Sequence, residues 1–220
     1  MSIWEAQGPG VTLVKPCVDA EKDPRRKIVG FIIHYTDGNF DGDVDWLTKQ
    51  DDVPVSAHYV IGRDGQVAQL CRIERVAYHA GMSWGDLNPN IYTIGYELCS
   101  NAKQEYKFTD FQYRFLAEHI LWVCKKYNLI YRYPDGDPKS TRNKAYWKEW
   151  FLHSDGFIIG HSAVNPHKPD PGVFFDWDKL LQMFQQRESG SETRQPAAVA
   201  IEPKTFWKKF LPKKLLTSKK

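Results

Sequence analysis

GHSAVNPHKPDPG, residues 160–172, follows directly on the apolar run FII (157–159) and carries His161, Lys168 and Asp170 within one short loop. Short apolar runs bounded by turn residues read as buried strands, so this loop leaves the end of a strand. A second apolar run, IVGFII (28–33), ends in His34. Two histidines and a carboxylate delivered by strand ends make a three-ligand set, which leaves the fourth position of a zinc ion open. Imidazole nitrogen and carboxylate oxygen are both ligand types that zinc accepts. Water held by such an ion has a pKa lowered toward about 7 and becomes a usable nucleophile. Lys168 and Asp170 are two residues apart, so in an extended loop both side chains point the same way. Lys168 is then placed to donate to a developing oxyanion. The stretch points to a zinc hydrolase acting on an amide. Each residue also has a plainer reading: a structural histidine, a turn aspartate between prolines, a solvated lysine.

TIGYELC (93–99) predicts another strand. Alternation puts Ile94, Tyr96 and Leu98 on one face and Gly95, Glu97 and Cys99 on the other. A half-buried glutamate needs a reason. Beside a metal-activated water, Glu97 would act as general base and then return the proton to the leaving amine; a salt bridge at a sheet edge is the alternative. SAHYVIGRDGQVAQL (56–70) predicts a hairpin around Asp64-Gly65, a favoured turn pair. Residues 109–127 predict a helix, with Thr109 and Gln112 as a capping box and Asn128 as its stop. His119 falls on the apolar face of that helix and reads as a core histidine. Shorter helices are expected from Asp43, as N-cap, to about Gln50, from Asn143, and from Asp176 to Gln186 with Leu180, Leu181 and Phe184 inward. Helices mixed with a hairpin and apolar strands predict an α/β fold, a mixed central β-sheet flanked by helices.

The 220 residues are 42% hydrophobic, enough for one domain with a substantial core plus an appendage. Aromatic content is 14%, with 8 Trp and 11 Tyr, which suits either a sugar- or peptide-binding cleft or a Trp-rich core. Net charge is +3 but uneven: from Arg187 onward there are nine Lys or Arg and three Glu, so that end carries +6 and the remainder about −3. A mildly acidic body argues against nucleic acid as the partner. Residues 1–187 read as the catalytic domain and 188–220 as a polar linker with a basic, amphipathic tail. FWKKFLPKKLLTSKK (206–220) reads either as a contact for an anionic membrane or wall polymer or as a disordered tail, and Pro212 prevents one continuous helix. Cys71, Cys99 and Cys124 fall in apolar segments and read as buried thiols. The N-terminal residues show no secretory signal and no run reaches membrane-spanning length. A cytoplasmic protein as synthesised is expected, with action on the wall after release as the alternative.

The motifs IIHYT (32–36), SAHYVIGRDG (56–65), YHAGMSW (78–84), LNPNIYTIGYEL (87–98) and GHSAVNPHKPDPG followed by FDW (175–177) come in an order that resembles the zinc-dependent N-acetylmuramoyl-L-alanine amidases. That family takes in wall-recycling amidases, phage lysozymes and peptidoglycan-recognition proteins. The resemblance runs over residues 25–185. It implies a sheet with a zinc cleft and cleavage of the amide between the muramic acid lactyl group and L-alanine, in peptidoglycan or soluble muropeptides. It implies His34, His161 and Asp170 as zinc ligands, Glu97 as the catalytic acid and Lys168 as the transition-state lysine. His79, Ala80, Gly81 and Trp84 fall in the loop that lines the family's substrate groove, while His58 reads as structural. Ala163 stands where recycling enzymes often carry Asp, His167 beside Lys168 is unusual, and 133–154 is longer than the family's connection. Tyr146, Trp147 and Trp150 of that stretch are expected either to wall the groove or to pack on a surface insertion. A non-catalytic peptidoglycan-binding module of the same fold is the rival reading; it is disfavoured because all three ligands, the Glu and the Lys are present.

Overall fold

The computed structural model describes residues 4–17, 21–49, 54–100, 107–131, 144–153 and 155–189. The tail 206–220, most of the linker and the turn-rich start of the 133–154 stretch lie outside the described residues. In chain order the elements are β1 (Leu13–Val14), β2 (Gly30–Tyr35), α1 (Phe40–Thr48), β3 (Tyr59–Ile61), β4 (Val67–Gln69), β5 (Thr93–Leu98), α2 (Asp110–Tyr127), α3 (Lys144–His153), β6 (Phe157–Gly160), α4 (His161–Val164) and α5 (Trp177–Ser189). A 3-10 turn, Pro89–Ile91, leads into β5. The strands form one six-stranded sheet in the order β1-β4-β3-β5-β2-β6. Only the β3–β4 hairpin is antiparallel; every other neighbour pair is parallel.

Parallel strands covered on both faces read as near-continuous apolar runs, as the inner strand β2 and the edge strand β6 both do. On one face Phe31, Ile33, Tyr59, Ile94, Tyr96 and Leu98 pack against Phe115, Leu116 and Ile120 of α2 and Leu180 and Phe184 of α5. The opposite face divides. Val29, Ile32, Phe157 and Ile159 pack with Trp84, Leu87 and Phe151. Val60, Ala68 and Leu70 pack with Val44 and Leu47 of α1.

The α2 prediction holds in detail. Thr109 and Gln112 form the capping box, and Asn128 closes the helix in the left-handed conformation at φ 54°. His119 is satisfied in the core, receiving the Tyr96 hydroxyl at Nδ1 (2.8 Å) and donating from Nε2 to the Gln7 carbonyl (3.0 Å).

Three expectations change. The first helix begins at Phe40 with Asn39 as its N-cap; Asp43 is instead drawn inward, its carboxylate accepting the Thr36 hydroxyl at 2.5 Å. The hairpin loop has three residues rather than two, because Gly62 N–H donates to the Gln66 carbonyl and Gly65 takes φ 108°. That is the glycine position of a three-residue hairpin loop. Strand β1 has no sequence signature, since an edge strand of two residues is too short to alternate. In α5, Leu180 and Phe184 are buried while Leu181 is half-buried.

Candidate active site

The parallel register decides where the site lies. His34 of β2 pairs with Glu97 of β5, and Ile33 pairs with Gly160 of β6, which brings His161 alongside His34. The three strands are adjacent, so their carboxyl ends converge, the place where open α/β sheets bind ligands. Asp170 returns to this point because its carbonyl accepts the Ser162 N–H at 3.0 Å.

His34 Nδ1, His161 Nδ1 and Asp170 Oδ2 stand at the corners of a triangle with every side 3.0 Å. A tetrahedral zinc with bonds of about 2.0–2.1 Å sets its ligands about 3.3 Å apart, so a small outward adjustment fits the triangle to the ion. The donor chemistry agrees. His161 Nε2 faces the Ala80 carbonyl at 2.9 Å; a carbonyl only accepts, so Nε2 carries the proton. In a neutral ring Nδ1 is then bare, and it points at a carboxylate oxygen that also only accepts. Such a set calls for a cation, and among the described residues these three form the group able to hold one. Burial, reinforced by the neighbouring His161, holds His34 down to about 4, which keeps it neutral, the form in which an imidazole can bind a metal. Burial alone would raise Asp170, but the two imidazoles facing Oδ2 outweigh it and hold the carboxyl well below the usual range.

Glu97 Oε1 lies 4.0 Å from His34 Nδ1. Burial, then the Asp170 and Asp43 carboxylates, push Glu97 well above the ordinary carboxyl range, and the charge of Lys168 opposes them. Lys168 is solvent-exposed, yet its charge also reaches His34. The loop does not simply extend: Lys168 N–H closes a turn onto the Asn165 carbonyl at 3.0 Å. His167 is exposed and stands outside the triangle.

The loop 79–84 folds over the ends of strands β2 and β6. His79, Ala80 and Trp84 are buried, and only Gly81 of the four is exposed. Trp84 packs edge-on against Phe151 in the core. His79 sits behind His34, Nδ1 to Nε2 at 3.0 Å, and Ala80 contributes its carbonyl to His161. These two residues stand behind His34 and His161. Asn90, missed in the sequence, anchors them: its Oδ1 accepts both His79 N–H (3.0 Å) and Ala80 N–H (2.8 Å). Arg26, also missed, donates to the carbonyls of Ile73, Asn90, Ile91 and Thr93 and so pins the turn before β5. Its only sequence signal is a charged residue just ahead of a buried strand. Of the 133–154 aromatics, Tyr146 is half-buried against the Phe151 cluster; the side chains of Trp147 and Trp150 lie outside the described residues. His58 is buried on the same sheet face and accepts the Gly95 N–H at 3.1 Å, a structural role.

Residues 24–173 match the model of the N-acetylmuramoyl-L-alanine amidase family. The chain belongs to this family, whose members are hydrolases of the amide joining N-acetylmuramic acid to L-alanine. It is 32% identical over 155 residues to the 1,6-anhydro-N-acetylmuramyl-L-alanine amidase AmpD of Haemophilus influenzae, covering 67% of this chain and 71% of that one. The AmpD of Escherichia coli K12 is 33% identical over 129 residues, 57% of this chain and 56% of that protein. The fold superposes on a crystal structure of an AmpD selenomethionine derivative with a TM-score of 0.61 at 21% identity, covering 83% of this chain and 99% of the other. It also superposes on E. coli AmiD in complex with anhydro-N-acetylmuramic acid-L-Ala-D-gamma-Glu-L-Lys, with a TM-score of 0.51 at 26% identity, covering 77% and 60%.

Proposed function

We propose that the chain is a zinc-dependent amidase whose metal is held by His34, His161 and Asp170, and that its substrate is a soluble anhydro-muramyl peptide. The observation that carries the metal reading is the triangle of three buried ligand atoms with Glu97 beside it, at the ends of adjacent parallel strands. The names of the AmpD relatives and the ligand of the AmiD complex support the substrate reading. When bound, zinc acidifies water and polarises a carbonyl.

Glu97 accepts the proton of the attacking water and delivers it to the L-alanine nitrogen as the C–N bond breaks. A cation at the triangle, one corner of which is 4.0 Å from Oε1, counters the rise that burial imposes on this carboxyl. Lys168, whose charge reaches both His34 and Glu97, donates toward the oxyanion of the tetrahedral intermediate. His79, Ala80 and Asn90 hold the ligands in place, and Gly81 borders the cleft.

The same proposal assigns residues 1–187 to the catalytic unit and 188–220 to a linker and basic tail that meets an anionic surface. A chain unit ending at Glu188 supports the boundary. No described helix is long and apolar enough to cross a membrane.

The test is incubation of zinc-loaded protein with anhydro-muropeptides and, separately, with intact sacculi, with and without a chelator, reading products by mass spectrometry. Chelator-sensitive release of peptides beginning with L-Ala from the soluble substrate is expected. Preference for sacculi would overturn the substrate assignment, and binding without cleavage would move the chain to a recognition module.

A further inference from the structure

We propose that Thr93 and His79 are positioning residues that set the tautomer of His34 and thereby the site's affinity for its metal. The proposal rests on the reading of His34 as a metal ligand.

Donor and acceptor roles can be followed from one end. The Thr93 hydroxyl donates to the Pro89 carbonyl at 2.9 Å. A hydroxyl has one hydrogen, so toward His79 Nε2, at 3.3 Å, Thr93 Oγ1 can only accept. His79 Nε2 therefore carries the ring proton. His79 is buried, and its two ring nitrogens face the Thr93 hydroxyl and the His34 ring, with no carboxylate to pair a charge; a buried unpaired cation is costly, so the ring is neutral and its Nδ1 is bare. That nitrogen lies 3.0 Å from His34 Nε2 and must accept from it. His34 then has its proton on Nε2 and a bare Nδ1, the atom aimed at His161 and Asp170.

The chain of bonds is built in, not incidental. Thr93, Gly95 and Glu97 share one face of β5, and Gly95 leaves room for the ring: a Cβ there would lie 2.5 Å from His79 Cγ. Asn90 fixes the main chain of His79 and Ala80 together. One dipeptide thus orients both histidine ligands, His34 through a side chain and His161 through the Ala80 carbonyl. Outer hydrogen bonds of this type fix the tautomer of a metal-binding histidine, and their loss typically costs about 10–100-fold in affinity.

The experiment uses the full chain. Nitrogen-15 NMR of metal-free wild-type protein should show both His34 and His79 protonated at Nε2. A proton on His34 Nδ1 overturns the proposal without any variant. Zinc affinity is then measured by competition with a chelating indicator for wild type, Thr93→Val and Thr93→Ser. Thr93→Val should weaken zinc binding about 10–100-fold and Thr93→Ser should restore most of it, because serine keeps the hydroxyl. Wild-type affinity in Thr93→Val, or an equal loss in Thr93→Ser, overturns the relay. If wild-type protein itself binds no zinc, the metal-centre reading fails and the relay fails with it. Normal zinc binding in wild type and in Thr93→Val removes the relay alone.

Discussion

Gly95→Ala tests how tightly the site is backed. The added Cβ would lie 2.5 Å from His79 Cγ, 2.7 Å from Nδ1 and 2.8 Å from Cδ2. Carbon atoms prefer separations of about 3.5–4.0 Å, so the ring would have to move by about 1 Å. It has little freedom to do so. His34 Nε2 is 3.0 Å from one ring nitrogen and Thr93 Oγ1 is 3.3 Å from the other. The main chain of His79 is held by Asn90. A 1 Å displacement stretches or compresses both contacts beyond hydrogen-bond geometry. Overpacking of this kind costs about 1–3 kcal/mol, and loss of the ligand's support costs about 10–100-fold in zinc affinity. Denaturant unfolding of the metal-free variant and a zinc titration against a chelator measure the two effects separately. Gly42→Ala in α1 is the control: its Cβ meets nothing closer than 3.4 Å, and helix propensity predicts a gain of roughly 0.5–1 kcal/mol with zinc binding intact. If Gly95→Ala matched wild type in both assays, the ring would not be wedged between β5 and His34, and the account of the backing loop would be wrong.

Glu97→Gln should keep its zinc and lose turnover by about 10²–10⁴-fold, the usual scale of general acid–base catalysis; full activity in a steady-state assay would remove Glu97 from the proton transfers. Lys168→Met should lower kcat by about 10²–10³-fold with an unchanged metal content by elemental analysis, and a change confined to KM would assign Lys168 to substrate binding instead. Burial holds His119 down to about 4 from 6.5, so below pH 6.5 the unfolded chain takes up a proton that the folded one refuses. Stability contributed at neutral pH is lost as the pH falls from 6.5 toward 4, about 3 kcal/mol in all at about 1.4 kcal/mol per pH unit. His119→Gln should flatten the dependence of unfolding free energy on pH across that window, and an unaltered slope would refute the assignment. Arg26→Met strands the carbonyls of Ile73, Asn90, Ile91 and Thr93; with each unmet buried carbonyl costing about 1–3 kcal/mol, thermal unfolding should reveal a loss of at least about 2 kcal/mol.

The sequence by itself determined whatever depends on local period and residue chemistry. The apolar runs ending at His34 and ahead of His161, the alternation through Thr93–Leu98 and the capping box at Thr109 and Gln112 all describe nearest-neighbour geometry, which a short stretch of chain contains in full. That was enough to place His34, His161, Asp170 and Glu97 in one candidate site, and the structure brings the four together. Only the tertiary structure decided how close they come and what stands behind them. The 3.0 Å triangle needs the β2–β6 register and the return of Asp170 onto Ser162. The alternation shows that Thr93, Gly95 and Glu97 share a face, but not that His79, earlier in the chain, folds over Gly95. For that reason the family resemblance sets the loop at 79–84 beside a substrate groove, while only the structure shows His79 and Ala80 standing behind His34 and His161. Asp43 is lost as a cap for a similar reason: a carboxylate able to cap a helix locally is captured by the Thr36 hydroxyl once α1 packs on β3 and β4. Hydrogen-bond partners of buried polar groups are chosen by packing between distant segments, and no local pattern encodes that choice.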